Sequence, residues 1–139
     1  MTGKKVNEIQ KGDRARFSKT VSESDIYLYA GITGDFNPAH VNQSYAEKTF
    51  FQSRIAHGLL SAGFISTVIA SKLPGPGTIY IKQELNFTAP VYIGDTITAF
   101  VEVLEVSVPE NSVILKTICK NQKDEVVVEG QAIVSPPKG

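Results

Sequence analysis

The chain contains two histidines, and both lie beside residues that could assist proton transfer. His40 ends the segment Thr-Gly-Asp-Phe-Asn-Pro-Ala-His, residues 33–40, which also carries the carboxylate of Asp35. His57 follows 17 positions later and is next to Gly58. Because histidine is the common side chain that titrates near neutral pH unaided, this grouping predicts one site for acid–base chemistry.

Asp35 and His40 also have ordinary structural interpretations. Asp35 stands two residues before the turn signal Asn37-Pro38, where a carboxylate often accepts hydrogen bonds from local amides in an Asx turn. His40 taken alone could be a packed, hydrogen-bonded histidine. The two residues are five positions apart across a proline turn and share no helical face. The turn must therefore fold them together if they act as a pair.

His57 and Gly58 stand at the expected start of a long apolar helix. The first amides of a helix lack intrahelical partners and lie at the positive end of its dipole. Since glycine lets a ligand oxygen approach the backbone closely, the Gly58 N–H could stabilise a carbonyl that gains negative charge during a reaction. Alternatively, Gly58 only permits a tight turn into the helix, with His57 as a polar neighbour of the cap.

Together these groups offer an acid, a base and an oxyanion donor without a cysteine nucleophile. Asp35, His40 and His57 could also be drawn as three ligands of one metal ion. Zinc sites of that kind usually show tighter ligand spacing along the chain. We therefore expect neither a bound metal nor a cofactor.

Local signals place these residues between and at the ends of helices. Ser22 precedes Glu-Ser-Asp, which is typical of an N-cap with acids in the first turn, and the helix is expected to end at Gly31 and Gly34. Residues 33–40 are expected to form a loop, because proline disfavours helix at the residue before it. A short helix is predicted over residues 44–50.

The remaining chain predicts one buried helix and a sheet. From Gly58 to Lys72 the chain is apolar on every face, which predicts a wholly buried helix. Stretches rich in Ile, Val and Thr then predict four strands, which turn signals separate and which should form an antiparallel meander. These strands cover residues 78–87, 96–108, 112–121 and 126–134, and a shorter strand over 14–19 precedes them. The sheet must curl around the helix to bury it, which predicts an α+β fold.

Length, composition and charge exclude several classes of protein. The 139 residues fit one domain spanning residues 1–139. Lys plus Arg and Asp plus Glu number 14 each, so the chain lacks the basic excess of a nucleic-acid-binding protein. Cys119 alternates with apolar neighbours, which indicates a core thiol in a reducing compartment. The N-terminus lacks the apolar core of a secretory signal, and the longest uncharged stretch, residues 55–71, is too short for a membrane span. We expect a cytoplasmic protein that binds neither nucleic acid nor membrane.

Residues 29–40 carry a motif that is similar to an enzyme signature. Tyr-Ala-Gly-Ile-Thr-Gly-Asp-Phe-Asn-Pro-Ala-His, followed by five residues and Ala46, resembles the signature of the MaoC-like (R)-specific enoyl-CoA hydratases, the hydratase 2 family. The segments 56–60 and 89–95 resemble further parts of that family, so the likeness covers nearly the whole chain. Ala39 is smaller than the branched aliphatic residue usual there, and we expect it to alter packing only. The resemblance implies the hot-dog fold, in agreement with a sheet wrapped around a helix.

The resemblance also implies a role for each site residue. Asp35 and His40 would hold one water that adds across the double bond of a trans-2-enoyl thioester. Asn37 would support the loop, the Gly58 amide would bind the thioester oxygen, and Ser66 would contact the site. The implied substrate is enoyl-CoA and the product (R)-3-hydroxyacyl-CoA, which bacterial enzymes of similar length supply for polyhydroxyalkanoate synthesis. A homodimer with the acyl tunnel along its interface is implied as well.

Two other functions and several details stay open at this level. A thioesterase on the same fold would direct water to the carbonyl carbon, and a non-catalytic acyl-thioester binding module would bind without turnover. The preferred acyl chain length is not encoded in a readable pattern, although Leu60, Ile69 and the strand from Val126 could line the tunnel. Lys72 and Lys82 are candidates for holding the CoA phosphates.

Overall fold

The structure, a computed structural model, describes residues 2–139 and is built around one antiparallel sheet of five strands. The strands are β1 Arg14–Thr20, β2 Ile79–Phe87, β3 Thr96–Ser107, β4 Ser112–Lys120 and β5 Val126–Ser135. The helices are α1 Glu23–Thr33, α2 Pro38–Val41, α3 Gln43–Ala46 and α4 Gly58–Ser71, and a short 3-10 turn covers Val6–Glu8. The α+β prediction is thus confirmed.

The order of strands in the sheet is β1-β3-β4-β5-β2, so the predicted four-strand meander is wrong for its first strand. Strands β3, β4 and β5 do form consecutive antiparallel pairs. Strand β2 instead pairs with β5, and β1 occupies the free edge of β3, where Phe17 lies opposite Ala99. Residues 88–95 connect β2 to β3 across the end of the sheet. Turn residues in this connection suggested a hairpin, but the two strands it joins are not neighbours.

Alternating side chains give the sheet a buried inner face against α4. In β4, Val113, Leu115 and Thr117 are buried, whereas the residues between them, such as Lys116, point to the outer face, as the alternation predicts. Cys119 is also buried, which confirms the predicted core thiol, and its burial raises the thiol pKa to about 12. Its Sγ donates to the Ser61 carbonyl of α4 at 3.5 Å.

Helix α4 is buried on one side only, contrary to the expectation of a wholly buried helix. Its side chains facing the sheet, among them Ile65 and Val68, belong to the core. Leu59, by contrast, is 58% exposed, and Gly63 and Ala70 are exposed on the same flank. The reason is geometric: a single sheet offers one inner face, and α4 lies against β1, β3 and β4 with little contact to β5. One chain therefore leaves an apolar flank of its central helix uncovered.

The start and end of α1 agree with local sequence signals. Ser22 Oγ accepts from the Asp25 amide at 3.1 Å, and Asp25 Oδ2 accepts from the Ser22 amide at 2.9 Å, which forms a capping box for α1. Gly31 lies inside α1, and the left-handed Gly34, with φ of 83°, ends it. Among residues 2–139, no helix is both long enough and apolar enough to cross a membrane.

Two predictions near the site need correction in their extent. Residues 33–40 are not loop throughout, because Pro38 begins the short helix α2, and proline is well suited to a first helical position. The helix predicted over 44–50 ends at Ala46. Phe50 is 93% exposed, so a longer helix would not bury its side chain. Thr49 Oγ1 donates back to the Ala46 carbonyl at the end of the helix.

Candidate active site

The turn after α1 fixes Asp35 through its own hydrogen bonds. The Asp35 amide donates to Thr33 Oγ1 at 3.2 Å, and that hydroxyl donates to the Tyr29 carbonyl at 2.8 Å. Asp35 Oδ1 accepts from the Asn37 amide at 3.1 Å, which is the Asx turn that the sequence allowed. This structural role engages one carboxylate oxygen and leaves Oδ2 with no hydrogen bond to residues 2–139. The turn therefore presents a carboxylate oxygen to solvent in a fixed direction.

Asn37 begins the element that carries His40. Its Oδ1 accepts from the Ala39 amide at 3.0 Å, so the side chain caps α2. Its carbonyl accepts from the His40 amide at 2.9 Å. Asn37 thus shapes the loop on the His40 side, where the sequence placed it.

The His40 ring is oriented by a backbone carbonyl. His40 Nδ1 lies 2.7 Å from the Ile55 carbonyl oxygen. Because a carbonyl only accepts hydrogen bonds, Nδ1 carries the hydrogen, and in the neutral ring Nε2 is left with a free lone pair. His40 lines a cavity, so this proton acceptor belongs to a side chain of the cavity wall.

His57 is buried behind this pair, with 3% of its surface exposed. Its Nε2 donates to the Asp35 main-chain carbonyl at 2.9 Å. Its ring stacks on that of His40, with centroids 3.9 Å apart and planes inclined by 30°, and the ring of Tyr29 lies 4.6 Å from it on centroids. His57 therefore links Asp35, His40 and the first turn of α4.

Gly58 is the first residue of α4, and its Cα lies directly against the ring of Phe87. A methyl group at this position would lie 2.9 Å from Cδ1 and Cε1 of that ring, closer than such atoms pack. Within residues 2–139 the Gly58 amide has no hydrogen-bond acceptor, as expected for the first turn of a helix. Gly58 is therefore compatible with both a packing role and a binding role, because it lets the aromatic ring pack closely and leaves its amide free.

Two cavities meet at these residues. A pocket of about 360 Å³ contains Asp35 and His57, with Tyr29 and Leu59 on its rim. A groove of about 350 Å³ runs from there between α4 and the strands, with walls that are mainly apolar. Its lining includes Phe51, Ile55, Ala56, Ser61, Ala89, Pro90, Val91, Val127 and Val128. Both cavities are bordered by His40, Gly58 and Phe87, so the polar groups stand at the mouth of an apolar groove.

Other residues singled out in the sequence lie elsewhere. Ser66 is two turns into α4, about 12 Å along the helix from Gly58, and lines neither cavity. Ser61 borders the groove instead, one turn after Gly58. Lys72 donates to the Arg16 carbonyl at the far end of α4, and Lys82 pairs with Glu84 on β2.

The groove has partly different walls from those expected. Leu60 and Ile69 do not line it, and the β5 contribution comes from Val127 and Val128 rather than Val126. Phe87 was missed because it is a strand-end aromatic with 54% of its surface exposed, and no spacing rule distinguishes it. Ile55 was missed because it acts through its main chain, which a residue type does not reveal.

Asp35, His40 and His57 offer ligand atoms that all lie within 4.8 Å of one another, a separation that one divalent cation could bridge. The two rings, however, stack with centroids 3.9 Å apart and planes inclined by only 30°, so a cation in the plane of one ring lies out of the plane of the other. One nitrogen of each ring is already bound to a main-chain carbonyl. The geometry suits proton transfer and water binding better than a metal centre.

Comparison with known proteins gives concordant results. Residues 4–129 match the family model described as MaoC like domain. The chain is 53% identical to an (R)-specific enoyl-CoA hydratase of Rhodospirillum rubrum over 94% of this chain and 90% of that protein. It is 45% identical to a 3-hydroxybutyryl-CoA dehydratase of Methylorubrum extorquens, covering 94% and 83% of the two chains.

Solved structures agree with the fold. Unliganded R-hydratase PhaJ1 of Pseudomonas aeruginosa superposes with a TM-score of 0.94 at 42% identity, covering 99% of this chain and 88% of that one. An (R)-hydratase of Aeromonas caviae superposes with a TM-score of 0.90 at 36% identity, covering 93% and 98%. These similarities confirm the predicted hot-dog fold.

Proposed function

Because the chain belongs to the MaoC-like domain family, we propose that it is an (R)-specific enoyl-CoA hydratase. The enzyme adds water across a trans-2-enoyl-CoA and catalyses the reverse dehydration. One observation carries the proposal: the Asp35 carboxylate, the free Nε2 of His40 and the Gly58 amide meet at the mouth of an apolar groove. Two relatives named for the hydration and the dehydration directions support it.

Asp35 and His40 hold one water in the proposed mechanism. Water supplies a hydroxyl to the β-carbon and a proton to the α-carbon, so no other reactant is consumed. His40 Nε2 and Asp35 Oδ2 are the acceptors left free by their structural hydrogen bonds, and they can orient the water and take its proton. Positioned acid–base help of this kind typically contributes about 10²–10⁴-fold.

Gly58 stabilises the charge that the thioester oxygen gains as the enolate forms. The amide stands at the positive end of α4, and a hydrogen bond from it strengthens as the oxygen becomes negative. One such donor is worth about 10²–10³-fold. The groove beyond it receives the acyl chain, whose apolar surface matches the walls.

Crotonyl-CoA hydration tests the assignment, followed by the loss of enoyl-thioester absorbance and by chiral analysis of the product. Asp35→Asn keeps an oxygen for the Asx turn, and His40→Gln keeps polarity, yet each should lower kcat at least about 100-fold. Asp124→Asn is a matched control, since this Asp sits in an exposed turn beside Lys120. Full activity of both site variants would contradict the proposal, and release of free thiol would favour the thioesterase.

A homodimer completes the proposed enzyme. Within residues 2–139 strand β2 pairs only with β5, which leaves its other edge free there, and Ile79 and Ile81 on it are each 62% exposed. Leu59 and its neighbours on α4 are uncovered as well. A second copy that adds its own β2 edge and its own α4 would cover both surfaces. Ser66 lies on this flank of α4, and we place its contribution at the contact between the two helices.

The proposed product fits a supply role in the cytoplasm. The Aeromonas caviae relative is described as an (R)-hydratase involved in PHA biosynthesis. We propose that this chain likewise supplies (R)-3-hydroxyacyl-CoA for polyhydroxyalkanoate synthesis. Co-expression with a polyester synthase in a bacterial host that lacks its own hydratase should raise polymer content, and the Asp35→Asn variant should not.

A further inference from the structure

We propose that Arg54 is a positioning residue that holds His40 in its working tautomer through the neighbouring carbonyl of Ile55. Arg54 is a buried charged side chain that borders neither cavity of the site. It immediately precedes the residue whose carbonyl binds His40 Nδ1. The inference rests on the proposed function for the role of His40, but the link from Arg54 to the His40 ring stands on geometry alone.

The Arg54 side chain is fastened to the first turns of α1. Nη1 donates to the Tyr27 hydroxyl at 2.8 Å, and Nη2 donates to a carboxylate oxygen of Glu23. The guanidinium carbon also lies 5.6 Å from the centroid of the Tyr27 ring. The hydrogen bond that Arg54 donates to Glu23 raises the pKa of Arg54, so the charge is permanent. A planar fork with two acceptors fixes both the position and the direction of this side chain.

The main chain next to Arg54 is bound to α2 at two points. The Ile55 amide donates to the Ala39 carbonyl at 3.2 Å, and the Ile55 carbonyl accepts from His40 Nδ1 at 2.7 Å. The Arg54 amide itself donates to Gln43 Oε1 at 3.4 Å. Arg54 therefore joins the start of α1 to the short segment against which the His40 ring is aligned.

Loosening this segment has a defined chemical result. When the Ile55 carbonyl is in place, neutral His40 carries its hydrogen on Nδ1 and leaves Nε2 free to accept a proton from water. When that carbonyl moves, the other tautomer becomes populated, and its Nε2 carries the hydrogen and cannot accept. Chemistry then slows, while the groove walls that Phe87 and the β5 residues Val127 and Val128 supply lie outside this segment and still hold the substrate. The expected signature is a loss in kcat with little change in KM.

The decisive measurement is a long-range ¹H–¹⁵N spectrum of the side-chain imidazoles, which distinguishes the two tautomers directly. The chain has only two histidines, so a His57→Gln spectrum assigns both. We expect His40 in the Nδ1–H form in the unmodified protein and a mixture of tautomers in Arg54→Met, with kcat lowered about 10-fold to 100-fold and KM within twofold. An unchanged His40 spectrum together with unchanged kcat in Arg54→Met would overturn the inference.

Variants of its partners keep the test usable if Arg54→Met fails to fold. Glu23→Gln removes the negative charge that binds the guanidinium, and Tyr27→Phe removes the hydroxyl acceptor. Both positions are exposed, and the combined variant should shift the His40 tautomer in the same direction. Arg54→Lys keeps the charge without the fork and should restore only part of kcat. Arg14→Met is the matched control, because Arg14 pairs with Glu102 at 3.4 Å on a strand far from the site. The two proposals can fail separately. If Arg54 substitutions change the His40 tautomer but His40→Gln retains hydration activity, the proposed function is refuted and the effect of Arg54 on His40 stands.

Discussion

His57 donates its Nε2 hydrogen to the main-chain carbonyl of Asp35 at 2.9 Å, although 22 positions separate the two residues. The bond joins the turn that carries the proposed water-binding carboxylate to the residue that precedes α4. It bypasses the carboxylate itself, which stays available. The second histidine of the chain thus has a supporting place behind the first, on whose ring it stacks.

Two substitutions of His57 separate its hydrogen bond from its stacking. His57→Phe keeps an aromatic ring against His40 and Tyr29 but removes the donor, whereas His57→Gln keeps a donor and removes the ring. Since a hydrogen bond of this kind is worth about 1 kcal/mol, we expect His57→Phe to lower kcat for crotonyl-CoA about fivefold to tenfold. His57→Gln should lose less than threefold. The reverse order in steady-state kinetics would assign the main role to stacking.

Gly58 and Phe87 allow a double-mutant cycle that tells the two interpretations of the glycine apart. Gly58→Ala places a methyl group 2.9 Å from the Phe87 ring, so it should lower the free energy of unfolding by about 1–3 kcal/mol. Phe87→Ala in the same chain removes the clash and should restore the melting temperature. Hydration activity should stay low in the double variant, because the methyl still hinders the approach of a ligand oxygen to the amide. Recovery of full activity would show that Gly58 serves packing alone.

The capping box of α1 predicts a pH-dependent contribution to stability. A side-chain hydrogen bond from Lys19, helped by the backbone amide of Ser22, lowers the pKa of Asp25. A carboxyl whose pKa is lower in the folded state stabilises that state above its unfolded pKa of about 3.9, and this contribution is lost as the pH falls through the folded pKa. Asp25→Ala should therefore cost about 1 kcal/mol at pH 7 and much less near pH 2 in denaturant unfolding. A difference that is constant with pH would contradict the assigned cause.

The free edge of β2 predicts the effect of a charge on assembly. Ile81→Lys places a cation on this edge, which discourages pairing between strands, and should shift the protein from dimer to monomer in light scattering at micromolar concentration. Val108→Lys is a suitable control, because Val108 is also exposed but lies in the turn between β3 and β4. Dimerisation that persists in Ile81→Lys would place the interface elsewhere.

Local sequence features predicted local structure well. The acids after Ser22 predicted an N-cap for α1, which the structure confirms, and the alternation around Leu115 and Cys119 predicted the inner face of β4. The proline turn and the start of α4 could both be predicted from the sequence. In the structure these two features place Asp35, His40 and Gly58 around one pocket. These features depend on interactions between residues close in the chain or on a period of two.

Features that depend on distant partners were not predictable in the same way. Strand β1 occupies the edge of β3, so β2 pairs with the free edge of β5. No residue within β2 indicates this choice of partner. The exposed flank of α4 is apolar like the buried one, so residue types alone do not distinguish the two flanks. Phe87 packs against Gly58, and Arg54 binds Glu23 and Tyr27, which are all distant in the chain, so the sequence around Phe87 and Arg54 gives no signal of these contacts.

The bond from His57 to Asp35 uses an oxygen that every amino acid has. Any residue at position 35 would offer the same carbonyl, so His57, the stacked His40 ring and the start of α4 could keep their arrangement without the carboxylate. Under the proposed mechanism, architecture and turnover are therefore separable at a single codon, and an aspartate-to-asparagine change needs one nucleotide. A descendant of this gene could lose catalysis in one step and persist as a folded carrier of acyl thioesters.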